Sequence, residues 1–428
     1  MEFRRSRKSS KRPGNKVTSI AFFGHFASTN LGNEATLQAI LHQLRCFRPH
    51  AEFICISTDP DAAAATHQIN AIPISEPLSQ RWSSGNTLIR LMREVCIRMP
   101  GEAYRWAKAF ARLRRVDMLI VPGTGLLTDA WGLGSFGPYN MFKWAVIAKG
   151  CGCKLLFVSV GAGPIDSVLG RWFVKSALSL ADYRSYRDRS TQQYLTNIGF
   201  HANDDHVYPD LAFSLPEMPK QDPKAGSRSV VGVGLMRDTG RYAGSEPEAH
   251  PRYLKTMMQL VRWLLAQGYD VRLLVGDIVD DMSTVEEFRS LMKQELSPRE
   301  QQHVIEEPVC SVEDLLLQIA NTEFVVATRF HNVLLSLLSN KPVVSISFHH
   351  KCESLMDAMG LSTYCLSINN LTIDILVYKF RELTRNAPTL KPLIKARVQE
   401  FREALNEQYG LVIRYLSEGE FAATRTLD

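Results

Sequence analysis

The chain has 428 residues, 45% of them apolar, enough for two cores of ordinary domain size. Its net charge of +6 sits in one place: residues 2–16 (EFRRSRKSSKRPGNK) hold seven Lys/Arg and one Glu, so the rest of the chain is formally neutral. A neutral body excludes a broad nucleic-acid-binding face, and no apolar run reaches the roughly 18 residues that a spanning helix needs.

Residues 1–16 read as a basic disordered tail. Its simplest reading is a solvated arm, with peripheral contact to anionic lipid left open. The run "VTSIAFFGHFA" that follows is short, contains Thr and Ser, and leads straight into a glycine turn. It reads as a first strand and not as the core of a signal peptide. The eight cysteines are scattered through the chain and read as reduced thiols, and Cys151 and Cys153 form only a C-x-C pair, so no zinc site is expected. A cytoplasmic protein is the default expectation.

Strand-like runs alternate with helical patterns: "SIAFFG" (19–24), "FICIS" (53–57), "MLIVPG" (118–123), "LLFVSVG" (155–161), "VVGVGL" (230–235), "VRLLVG" (271–276), "FVVA" (324–327) and "VVSIS" (343–347). This is the pattern of parallel βα units. Residues 209–229 carry four prolines and no sustained period, the composition of a linker. The expectation is an α/β protein of two Rossmann-like domains, 17–208 and 230–390, facing each other across a cleft. A C-terminal helix and tail, 391–428, has its helical pattern from about Pro392 to Leu416 and could pack back across the junction.

Three glycine-rich turns follow strands of the first half. "GHFASTNLGNEATLQAIL" (24–41) opens a helix, with Gly32 and Asn33 where a phosphate or sugar could be cradled. It lacks the G-x-G-x-x-G of a dinucleotide site, and the alternative is that Asn33 or Thr29 caps the helix while Glu34 decorates its first turn. "PGTGLLTDAWG" (122–132) offers Gly123 and Gly125 for close backbone approach and Asp129 as a hydroxyl acceptor. "VGAGPIDS" (160–167) has the same form. In "ADYRSYRDRSTQQYL" (181–195), Arg187 ends a short strand-like stretch beside Asp188 and Ser190, which stand at helix-cap positions. A cation beside a helix start serves a carboxylate or phosphate ligand better than it serves the helix. Asp210, in "PDLAF", either orients Arg187 or begins a turn.

In the second half, Arg329 and His331 sit at the turn between "EFVVA" and the helical "NVLLSLLS". Strand ends of open α/β sheets form ligand crevices, and helix N-termini attract anions. His349, His350 and Lys351 end the next strand, so five candidate cations occupy adjacent strand ends without the carboxylates or thiolates a metal site would want. The grouping suits a doubly anionic small molecule.

In order and spacing, "GNEA", "VDMLIVPGTGLLTD", "VGAGPIDS", "YRDRSTQQYL", "YPDLAF", "TRFHNVLLSLLSNKPVV" and "HHKCESLMDAMGL" resemble the polysaccharide pyruvyl transferases over about residues 17–365. The resemblance implies a GT-B-like fold and transfer of the enolpyruvyl moiety of phosphoenolpyruvate to a sugar as a ketal, with release of phosphate. It implies donor contacts from Arg329 and His331 in one domain and Arg187 in the other. Lys351, His349 and His350 join them on charge. His331 is then the candidate general acid and Glu34 the weaker candidate base, while Gly32, Asn33, Gly123, Gly125 and Asp129 would meet the acceptor sugar, lipid-linked or free. No metal or cofactor is required by this scheme, and the donor is the only cosubstrate. Asn33 stands where the family often has aspartate, so no carboxylate role passes to it, and Thr124 between Gly123 and Gly125 is expected to narrow the acceptor side. The alternatives are a GT-B glycosyltransferase using a nucleotide sugar and a non-catalytic component of a polysaccharide assembly complex.

Overall fold

A computed structural model describes residues 18–27, 29–76, 99–130, 132–133, 137–216, 228–237 and 249–425, with side chains to 416. The basic tail 1–16 lies outside the described residues. The apolar runs form two wholly parallel sheets. In the first, β1 (Ser19–Phe23), β2 (Glu52–Ser57), β3 (Asn70–Pro73), β4 (Met118–Pro122), β5 (Lys154–Val160), β6 (Tyr183–Tyr186) and β7 (His206–Val207) lie in the order 3-2-1-4-5-6-7. In the second, β8 (Val230–Gly234), β9 (Asp270–Leu274), β10 (Val304–Ile305), β11 (Phe324–Ala327), β12 (Val343–Ser347) and β13 (Cys365–Ser367) lie in the order 10-9-8-11-12-13. Every residue of β1, β4, β11 and β12 is buried. Helices cover both faces of such strands, which is why they read as unbroken apolar runs and not as alternation. Winding reverses between β1 and β4 in one sheet and between β8 and β11 in the other, and a crevice opens at each reversal.

Helix Leu31–Phe47 lies at the domain junction, against helices Val312–Ala320 and Phe330–Leu338 of the second domain. One continuous apolar cluster accordingly contains Leu37, Ile40 and Leu41 of the first domain with Leu315, Leu334 and Leu335 of the second.

Two expectations about the junction are corrected. The stretch 209–229 is not linker from its start: Leu211–Ser214 is a buried 3-10 turn with Asp210 accepting the Ala212 N–H at 3.0 Å, packed on helix Leu31–Phe47. Residues 217–227 lie outside the described residues. The C-terminal helix is also much longer than its clearest periodic stretch, running Ile373–Arg425 through Pro388 and Pro392. The two prolines are four residues apart on the exposed side, where the carbonyls they free can meet water. The helix straps the domains together. Phe380 packs edge-on against Trp263, Tyr269 and Phe324 of the second domain. Further along, Gln408 bonds Ser159 and Ser185, and Tyr409 bonds Ser214 at 2.9 Å.

Candidate active site in the interdomain cleft

The loop after β1 is stitched to the loop after β9. Asn30 caps helix Leu31–Phe47, accepting the N–H groups of Gly32 (3.0 Å) and Asn33 (3.3 Å), so the cap is neither Asn33 nor Thr29. Thr29 instead donates its hydroxyl to Asp277 at 2.7 Å, and the Ile278 and Leu31 N–H groups bond Thr29 O (2.8 Å) and Gly276 O (3.2 Å). Beside this clasp a cavity of about 340 Å³ opens between the two switch points. Arg187, Arg329, His331, His349 and Lys351 all line it.

Arg187, at the end of β6, is 7% exposed. Its Nη1 faces Asp210 and its Nε faces Asp188, each at 3.4 Å, and its guanidinium lies 4.7 Å above the Phe330 ring of the other domain. Gly161 makes room for it, since a Cβ there would stand 2.7 Å from Nη2. That Nη2 is buried without a partner, an unpaired donor held by two carboxylates and an aromatic face. Asp210 therefore orients Arg187 and also caps a turn.

Arg329 caps helix Phe330–Leu338 by position, but its two-pronged edge is occupied. Nε and Nη2 donate to Asp281 at 2.9 and 2.6 Å, so a substrate meets at most its remaining Nη1. Burial works against its charge, yet the Asp281 carboxylate outweighs that and holds Arg329 cationic.

The Lys351 ammonium has no hydrogen-bond or ion-pair partner among the described residues; burial, then the charge of Arg187, pulls it down to about 7. Burial, then the charges of Arg187, Lys351 and Arg329, pulls His331 down to about 3, so the ring is neutral near pH 7, and its Nε2 is buried and unbonded. His349 is likewise pulled to about 3, and its Nδ1 accepts the Lys351 N–H at 3.3 Å. His350 does not line the cavity; its ring packs on His349 with centroids 3.9 Å apart. The arrangement gathers Arg187, Arg329 and Lys351 beside two histidines whose proton affinity burial and these charges lower.

On the opposite wall, Asn33 lines the cavity and donates to His25 O at 3.1 Å. Thr124 and Gly125 line it too, the Thr124 hydroxyl buried and unbonded, and a Cβ on Gly125 would stand 3.1 Å from Lys351 Nζ. Gly32 serves another purpose than acceptor contact: a Cβ there would overlap the His331 ring. We expect Gly32→Ala, at a position where alanine otherwise favours the helix, to displace that ring and lower kcat by about 10²-fold with little change in Tm. Steady-state kinetics beside a thermal melt checks this.

Three candidates stand elsewhere. Glu34 points into the first domain and pairs with His67 at 2.8 Å, which removes it from the acceptor side. Gly123 abuts Ser159 O, where a Cβ would come within 2.6 Å, so it serves sheet packing. Asp129 accepts the N–H groups of Asp166 (3.0 Å) and Ser167 (2.8 Å) and the Ser167 hydroxyl (2.6 Å). Burial would raise its carboxyl, but these bonds hold it low, in service of the loop.

Sequence reasoning passed over residues that the cleft brings in. His25, with Nδ1 2.9 Å from Thr58 Oγ1, lines the same wall as Asn33, and Asp277 and Asp280 line the facing one. Asn332 is fully buried with both amide atoms unbonded, and a Cβ on Gly234 or Gly276 would stand within 2.9 Å of it. The run "GDIVDD" (276–281) after a strand was the available signal for the aspartates.

Two facing parallel sheets with a cleft between their switch points define a two-domain protein of the GT-B class. The family model for polysaccharide pyruvyl transferases matches residues 30–350, and the chain belongs to that family. Among solved structures, it is similar to the Anabaena protein HepE in complex with UDP and glucose (12% identity, TM-score 0.54, 91% of this chain and 99% of that one). It is also similar to the lipopolysaccharide outer core galactosyltransferase WaaB (13%, 0.52, 91% and 100%) and to the UDP-GlcNAc 2-epimerase of Methanocaldococcus jannaschii (10%, 0.53, 85% and 92%). At these identities the likeness is one of fold.

Proposed function

We propose that this transferase of polysaccharide biosynthesis moves the pyruvyl group of phosphoenolpyruvate onto two hydroxyls of a sugar, forming a ketal and releasing phosphate. The observation that carries the reading is the meeting of Arg187, from one domain, with Lys351 and His331, from the other. A compact ligand with a phosphate and a carboxylate offsets the Arg187 and Lys351 charges and draws a proton to His331, and a guanidinium with a free Nη2 suits either group.

In this reading a proton goes to C3 of the donor, which becomes the methyl group, and the cationic C2 takes the first sugar oxygen. The C2–O bond to phosphate then breaks, the second sugar oxygen closes the ketal, and the two hydroxyl protons leave with phosphate and the base. His331 delivers the proton once the bound anion has raised its proton affinity. On the acceptor wall, His25 replaces Glu34 as base, because Glu34 is committed to His67.

The fold neighbours favour a second reading, since HepE is described with UDP and glucose. Incubation of the purified protein with a sugar acceptor and either phosphoenolpyruvate or a panel of UDP-sugars separates the two. Phosphate release that depends on phosphoenolpyruvate and acceptor is expected, with a mass gain on the acceptor of one pyruvyl ketal. UDP release without phosphate release would overturn the proposal.

A further inference from the structure

Helices Met99–Leu113, Pro138–Gly150 and Val168–Ser179 lie side by side on one face of the first sheet, their inner residues in one apolar cluster with β1 and β4. Their outer side departs from that of an ordinary surface helix. Met99, Tyr104 and Phe110 are 67, 50 and 49% exposed. The exposed residues between them are Pro100, alanines and Lys108, with Arg114 and Arg115 following. The one acid of this stretch, Glu102, accepts from Arg105, Tyr139 and Lys143 and is spent within the fold. On the third helix Val168, Leu169 and Trp172 are 82, 55 and 51% exposed, and the Trp172 ring is held 5.2 Å from both Phe142 and Phe173.

We propose that this face docks on an anionic bilayer surface, its aromatic and aliphatic side chains entering the headgroup layer and its lysine and arginines meeting lipid phosphates. An outward helix face that is apolar and basic, with Asp166 exposed only in the turn before the third helix, has the composition of helices that lie in the membrane interface. No helix among the described residues is long and apolar enough to cross a membrane, so the contact is peripheral. Charge selects the occupant: a second copy would bring the same basic residues against these, whereas an anionic lipid surface attracts them.

Position adds a consequence. In parallel βα units the helix N-termini lie at the strand ends that carry the cleft, so Met99, Tyr104, Val168, Leu169 and Trp172 gather on the cleft side of this face. A docked molecule therefore holds its acceptor wall close to the headgroups, the level at which a sugar on a lipid phosphate is presented. This last step rests on the proposed pyruvyl transfer; the docking does not.

The test is co-sedimentation of the full chain with vesicles of phosphatidylethanolamine and phosphatidylglycerol, against vesicles of phosphatidylcholine alone. The wild type is expected to bind the anionic vesicles, to lose binding as salt rises, and to show a blue shift of tryptophan emission that Trp172→Phe abolishes. Y104S/F110S/W172S and K108Q/R114Q/R115Q are each expected to weaken binding about tenfold or more. Deletion of residues 1–16 is expected to leave most of it. Phosphate release from phosphoenolpyruvate with a soluble sugar should be unchanged in all variants, so a failure of docking and a failure of the pyruvyl reading are seen separately. Wild-type protein that ignores anionic vesicles overturns the proposal. So does undiminished binding by the two triple variants, binding lost only with residues 1–16, or a dimer that Y104S/F110S/W172S abolishes while vesicles go unbound.

Discussion

Arg187→Ala is expected to raise the KM for phosphoenolpyruvate by about 10–10²-fold, the worth of charge-assisted hydrogen bonds to one guanidinium. It is also expected to lower Tm. Asp210, 3% exposed, would keep its place without its cation, and removing one partner of a buried pair costs about 3–5 kcal/mol. The two effects separate through Asp210→Asn, which neutralises the buried partner and keeps Arg187. A donor-binding Arg187 then leaves KM within a few-fold of wild type; a purely structural one makes Asp210→Asn reproduce both losses. Arg187→Lys gives a further check, because it keeps the charge and loses Nη2. Phosphoenolpyruvate should raise the Tm of wild type and fail to raise that of Arg187→Lys.

His331→Gln is expected to lower kcat by the 10²–10⁴-fold that a general acid typically contributes, with a smaller change in KM. The pH profiles carry the argument. Burial and the neighbouring cations pull the free-protein ring down to about 3, far from neutrality, so kcat/KM is expected to show no limb from it near pH 7. With the donor bound, its negative charges offset Arg187, Lys351 and Arg329, the ring binds a proton more tightly, and kcat falls as pH rises through the new value. His331→Gln should abolish that limb. Donor affinity has its own limb, since Lys351 loses its charge above about 7 in the free protein, and kcat/KM should fall there.

The same displacements set the sign for stability. His331 is lowered on folding from 6.5 to about 3, so the unfolded chain binds the extra proton in that window, and the native state loses stability as pH falls across it. His331→Gln should flatten this acid loss. A variant with lowered Tm and normal kcat would make the histidine structural. Weakened binding with the kcat limb preserved would make it a phosphate ligand and shift the acid to Lys351 or His349.

Eight strands were legible as apolar runs because both their faces are covered and the run is continuous, and β6 showed as the short strand-like stretch ending at Arg187. β3, β7, β10 and β13 are short and lie at or near the sheet edges, where one flank needs no apolar cover, and they left no such signal. The turns were legible for a similar reason, since glycine and a cation at a strand end are local facts. Glu34 shows the limit of that reading. It neighbours Asn33, which does line the cleft, yet one residue of a helix turns the side chain about 100°, and Glu34 faces His67 instead.

By itself, then, the sequence determined two sets of parallel βα units and the presence of Arg187, Arg329, His331 and Lys351 at strand ends. Period and turn chemistry act over a few residues, and a single chain displays them. Only the tertiary structure decided what each cation is for. Arg329 is spent on Asp281, 48 residues away, while Arg187 is held by Asp210 with one nitrogen left over, and Gly32 is small because His331 arrives from the other domain. Such pairings depend on distances between separate segments once both sheets have closed on one another, and burial then sets which of the charges persist.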